Sequence, residues 1–328
     1  MGVRVIEGRQ LLQILVMFMI VQFAGLFLAA LLFNGATYQQ VASVQVVSGP
    51  STALFFIAYI IAITVLMILL MKFYIGVYRL FEGFVIFVAS AIVFSVLLSE
   101  LTGAAVTILS STVPVAFIAG GALGIALVIA KNMRPWLRNA TAILASIGVG
   151  VALGAGFGFV VALVLMALLA VYDFVAVFIT KHMITLADAV QKQNLAFMVD
   201  VHEVEAVPKS SLSAAELSQY NRELVEFKKA GGHITKIHQK GLKGMVPMVA
   251  SVGLGTGDLA VPLMVAIAAY KVFLSFTLSM FVIFGAVLGL ALTMYILRRY
   301  RRALPAIPPL LFGIGIGIAL YALIYGAL

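Results

Sequence analysis

Two aspartates stand where acidic residues are rarely found. Asp173 lies in the apolar run LLAVYDFVAVF and Asp258 in GLGTGDLAVPLM. Each sits in a stretch long enough to cross a bilayer. An ionised carboxylate at such depth costs at least about 2.5 kcal/mol, so it calls for a function or a partner on a neighbouring helix. One buried aspartate is readily explained as a structural hydrogen-bond acceptor. Two on consecutive crossings, running in opposite directions, can meet at one depth. Two carboxylates brought together do not both ionise readily, so one proton is shared and the pair titrates as a unit. Such a pair holds a base to deprotonate water and an acid to protonate a scissile carbonyl. It requires no metal, cofactor or nucleophilic side chain.

The residues around the acids suit close approach. Gly253, Gly255 and Gly257 precede Asp258, and glycine lets backbones pack tightly or a helix loosen. The GxGxGD string resembles a nucleotide loop only superficially. It follows no soluble strand and lacks the Lys-Ser/Thr step. A zinc protease would need His-Glu-x-x-His on a span, whereas His202-Glu203 lacks a second histidine and lies in a polar segment. A serine protease would need Ser and His at depth, and no Gly-x-Ser-x-Gly occurs; His182, His202, His233 and His238 fall in that segment or at its edge. With no cysteine in the chain, thiol catalysis, disulfides and thiolate metal sites are excluded.

The elements that must hold these acids are membrane helices. Of 328 residues, 64% are hydrophobic and 10% charged, with a mean hydropathy of +1.18. A soluble domain carries about 25% charged residues, so lipid must solvate most of this surface. Runs of about 20 apolar residues predict spans near 11–33, 52–74, 81–99, 111–131, 140–156, 157–180, 246–273, 277–297 and 304–326. The first is too long for a signal-peptide core and reads as a retained helix. The glycines at 148, 150, 154, 156 and 158 mark a turn between the fifth and sixth spans.

The net charge of +9 gathers in short clusters between apolar runs rather than in a nucleic-acid-binding face. With nine spans and the N-terminus in the cytoplasm, twenty of the 21 lysines and arginines fall on the cytoplasmic side. The exception, Lys271, lies late in the seventh span and reads either as a counter-ion or as a side chain snorkelling outward. The fold expected is all-α: nine transmembrane helices, N-terminus cytoplasmic, C-terminus outside. Residues 1–156 would form a bundle of five helices. Residues 157–328 would carry helices six to nine and a cytoplasmic hydrophilic loop over 181–245. In that loop Ser213 and Glu216 make a capping box, Gly231-Gly232 a stop, and the valine-rich 196–207 a strand signal.

These residues resemble the presenilin and signal peptide peptidase family of intramembrane aspartyl proteases. The likeness rests on Tyr172-Asp173 in the sixth span and Gly255-Thr256-Gly257-Asp258 in the seventh. It is completed by Leu304-Pro305-Ala306-Ile307-Pro308 opening the ninth, where isoleucine replaces the family's leucine. The resemblance implies catalysis by Asp173 and Asp258, with Tyr172, Gly255, Thr256, Gly257 and the 304–307 segment shaping the site. It implies no cofactor. The substrates would be single-span membrane proteins or signal-peptide-like segments, and the setting a lipid membrane. The small size and short loops are similar to archaeal members, hence an archaeal cell membrane. No obligate protein partner is evident. Prepilin peptidases share Gly-x-Gly-Asp but do not account for Tyr-Asp or the Pro-Ala element. A transporter or channel, binding protons or cations at paired aspartates among broken helices, is the reading from another class.

Overall fold

The computed structural model describes residues 8–34, 75–102, 105–108, 111–179, 196–208, 245–300 and 304–326, with Phe55, Ala58 and Ala62. The helices are α1 (Gly8–Asn34), α2 (Ile75–Thr102), α3 (Val115–Met133), α4 (Arg138–Gly156), α5 (Phe159–Phe174), α6 (Thr256–Phe273), α7 (Phe276–Tyr300) and α8 (Ile307–Tyr325). Among the described residues, these eight are long and apolar enough, α5 together with the turn that follows it, to cross a membrane. The span expected over 52–74, the capping box at 213–216 and the Gly231-Gly232 stop lie outside the described residues, apart from three positions of that span.

Two small sheets interrupt the helical pattern. Strands β1 (Ala105–Ile108) and β2 (Ser111–Pro114) pair antiparallel, Ala105 opposite Pro114 and Ile108 opposite Ser111. The span expected from residue 111 therefore starts its helix at Val115. Strands β3 (Met198–Pro208) and β4 (Met245–Gly255) form the second sheet. β3 coincides with the valine-rich signal. β4 corrects the expectation of a helix over 246–273: its first third is extended, and the helix begins at Thr256. The sequence MVPMVASVG is apolar enough for a span, but its valines favour extended backbone and its proline cannot donate within a helix.

The chain forms two compact units, Leu15–Val199 with Leu254–Leu328, and Met1–Ile14 with Asp200–Gly253. In the larger unit α6 is the most enclosed helix. Its residues from Leu259 to Ala269 are all buried, and it packs against α4, α5, α7 and α8. Glycines on its neighbours allow this. A Cβ on Gly25 of α1 or Gly150 of α4 would fall within 2.7 Å of a Leu263 side-chain atom, and one on Gly154 within 2.6 Å of Ile267. The glycines at 148, 150 and 154 thus serve packing inside α4. The break between α4 and α5 falls at Phe157-Gly158. Outward-facing side chains such as Phe23, Phe27 and Phe312 are exposed, as lipid-facing positions must be.

Candidate active site

Asp258 is built by the start of a helix. Gly255 ends β4 and is the N-cap of α6, with extended backbone at φ −63° and ψ 144°. Thr256, Gly257 and Asp258 follow as the first three helical residues. A side chain at the third position can reach back to the N-cap N–H, and the Asp258 carboxylate accepts that bond from Gly255. A Cβ on Gly255 would stand 3.2 Å from Asp258 Oδ2, whereas one on Gly257 would meet nothing within 4 Å. Asp258 is thus in the first turn of α6, and not well inside a helix that begins at 246. Glycine leads into it as the end of a strand rather than as a loosened helix.

Thr256 fixes this turn from two sides. Its N–H and Oγ1 both donate to the Phe197 carbonyl, at 3.0 and 3.1 Å. Its own carbonyl accepts a bond from Ser146 Oγ at 3.4 Å. Gln22 of α1, fully buried, donates to the Leu259 carbonyl at 2.9 Å.

Asp173 arrives at the end of α5, where the winding changes. Val175–Ile179 form a π-helical turn, and the Val175 N–H is shared between the Tyr172 and Val171 carbonyls. Such turns are frequent at functional sites. Asp173 is buried, 7% exposed, and Oδ2 accepts the Ile307 N–H at 3.2 Å. The Ala306 N–H also donates to it. Both donors belong to the N-terminus of α8, with Ala306 as N-cap. The next two residues, Pro308 and Pro309, have no N–H to offer, and Leu310 donates to the Ala306 carbonyl at 3.3 Å. The free donors of this helix end are therefore directed at one carboxylate. Ile307 makes this bond through its backbone, which leucine in its place would leave unchanged.

The structure brings Asp173 and Asp258 close enough for their charges to act on each other. A helix N-terminus, the partially positive end of its dipole, faces each one. Pro305, Ala306 and Ile307 are buried beside Asp173, while Leu304 and Tyr172 are half-buried. Lys271 is set apart from this arrangement. It donates to the Ala155 carbonyl in the last turn of α4, the end at which a cation is favoured. Sequence reasoning missed Gln22, Ser146 and Phe197. Of these, only Gln22 carried a signal, as an amide inside an apolar span.

The family model for signal-peptide peptidase, presenilin aspartyl protease, matches residues 15–327. Two solved structures share the fold, each of a presenilin family intramembrane aspartate protease. The one in space group C222 has a TM-score of 0.60 at 20% identity, covering 96% of this chain and 99% of that one. The one in space group P2 has a TM-score of 0.59 at 22% identity, covering 95% and 97%. No curated protein matches the chain.

Proposed function

Because the chain belongs to the signal-peptide peptidase and presenilin aspartyl protease family, we propose that it is a GxGD-type protease whose catalytic pair is Asp173 and Asp258. The observation that carries this reading is that two carboxylates on separate spans lie within reach of each other's charge, each held by N-terminal N–H groups of a helix. A transporter would bind its cation at such a pair, but the family match favours hydrolysis.

In the reaction, the ionised carboxylate of the pair takes a proton from water. The protonated one donates its proton to the substrate carbonyl oxygen as the water oxygen bonds to carbon. The tetrahedral intermediate then collapses. The C–N bond breaks, a proton passes to the departing nitrogen, and a carboxylic acid and an amine are released. Helical amides are shielded by their own hydrogen bonds, so the substrate must be extended at the scissile bond. Strand addition to an exposed strand edge would supply that geometry.

The substrates proposed are single-span membrane segments. The proposed topology is nine spans, N-terminus cytoplasmic, with 157–328 carrying both acids and 1–156 bracing them. The test is cleavage of a single-span reporter by purified protein in detergent, comparing the parent with Asp173→Asn and Asp258→Asn. Fragments are expected from the parent only. Undiminished cleavage by either variant would overturn the assignment, and flux in liposomes without cleavage would favour the transporter.

A further inference from the structure

Three ionisable side chains are buried together away from the aspartate pair. Glu82 of α2 is 2% exposed, Lys131 of α3 7% and Arg138 of α4 8%. Lys131 Nζ and Glu82 Oε1 form an ion pair, and Arg138 lies close enough to feel the Glu82 charge. Facing two cations would account for a buried carboxylate, but Glu82 does something more. The same Oε1 accepts the backbone N–H of Ala196 at 2.5 Å, and the adjacent Phe81 ring stands 6.1 Å from that of Phe197. The Ala196-Phe197 turn, which leads into β3, is thus gripped by neighbouring residues of α2. Its Phe197 carbonyl in turn receives both donors of Thr256, two residues before Asp258.

We propose that Glu82 is a positioning residue for proteolysis: it clamps the Ala196-Phe197 turn, and that turn fixes the first turn of α6 and so the placement of Asp258. The inference rests on the assignment of Asp258 to the catalytic pair. Its physical content is that a buried acceptor with two donors on one oxygen holds geometry that a lone ion pair would not. A misplacement of about 1 Å at a reacting group can cost roughly 100-fold in rate. Lys131 holds the carboxylate through the ion pair, and the charge of Arg138 acts on it from nearby.

The experiment compares two double variants that both remove the ion pair. Glu82→Gln/Lys131→Met keeps a carbonyl acceptor for Ala196, whereas Glu82→Leu/Lys131→Met removes it at similar volume. The first should retain kcat within about threefold, and the second should lose about 10- to 100-fold in kcat with KM unchanged. Amide exchange should accelerate at Ala196 and Thr256 in the second variant alone. Should the leucine variant not fold, Glu82→Asp, which withdraws the acceptor by one methylene and keeps the charge, is expected to show the same loss of kcat and of protection. Full kcat and protection without the acceptor would overturn the proposal. Equal losses in both double variants would also overturn it, because charge and not the clamp would then govern. The exchange measurement needs no catalysis, so failure of the clamp is separable from failure of the aspartate assignment.

Discussion

Asp173 and Asp258 reach their positions by different local rules. Asp258 is held by its own helix end, three residues after an N-cap glycine, a local geometry that the apolar run over 246–273 did not disclose. The two glycines of the Gly-x-Gly-Asp string are not equivalent. A methyl group on Gly255 would press on the carboxylate at 3.2 Å, while one on Gly257 would enter open space. Gly255→Ala should lower kcat by about tenfold, the effect of shifting a positioned group by tenths of an ångström. Gly257→Ala should leave the unfolding temperature unchanged; reporter cleavage and a thermal melt of both variants check this. Gln22 gives a second residue-scale prediction. It donates to Leu259, but its buried Oε1 meets no hydrogen-bond partner among the described residues. Leucine in its place would remove the unpartnered Oε1 along with the bond to Leu259, whose carbonyl remains within the hydrogen-bonded helix, so the gain and the loss oppose. Gln22→Leu should change stability by less than about 1 kcal/mol while lowering kcat, because the start of α6 loses its tie to α1. A kcat equal to the parent's would show that this tie does not set the site.

Among elements, α8 carries the heaviest geometric demand, because its N-terminus must meet Asp173. Its register is set against α7 through glycines on both helices. A Cβ on Gly313 would stand 2.1 Å from the Gly285 carbonyl oxygen, and one on Gly317 would be 2.2 Å from the Phe281 carbonyl oxygen. Neither backbone atom can step aside without moving its helix. Gly313→Ala should therefore destabilise by about 1–3 kcal/mol, the usual cost of overpacking. It should also reduce cleavage, since any shift of α8 carries the Ala306 and Ile307 N–H groups away from Asp173. A denaturation midpoint equal to the parent's would contradict this seam. At the same scale β4 shows why an apolar run is an ambiguous signal. Hydropathy over 246–273 satisfies the length rule for a span, yet the segment changes from strand to helix at Gly255-Thr256. That change is what gives Asp258 a helix end to occupy.

At the scale of the molecule, composition requires a polytopic membrane protein, and the eight described spans agree. The proposed orientation can be measured directly because the chain has no cysteine. Single cysteines at Ser210 and at Thr37, in the segments assigned to opposite sides, should be labelled by a membrane-impermeant maleimide from the cytoplasmic face and the outer face respectively. Labelling of both from one face would refute the nine-span arrangement.

The sequence by itself determined the membrane class and singled out two acids in apolar runs. These are properties of composition and of hydrophobic run length. The π-helical turn after Asp173, the convergence of two helix N-termini on the aspartates, and the reach of Gln22 and Glu82 from α1 and α2 were decided by tertiary structure alone. Hydrogen bonds between residues so distant in the chain leave no periodicity in it. A glutamate at the edge of a span reads as an interfacial charge until the fold buries it between a lysine and a backbone N–H. Run length also cannot distinguish an apolar strand from an apolar helix, because both satisfy the same burial. Only the pairing of β4 with β3 and the packing around α6 settled where one becomes the other.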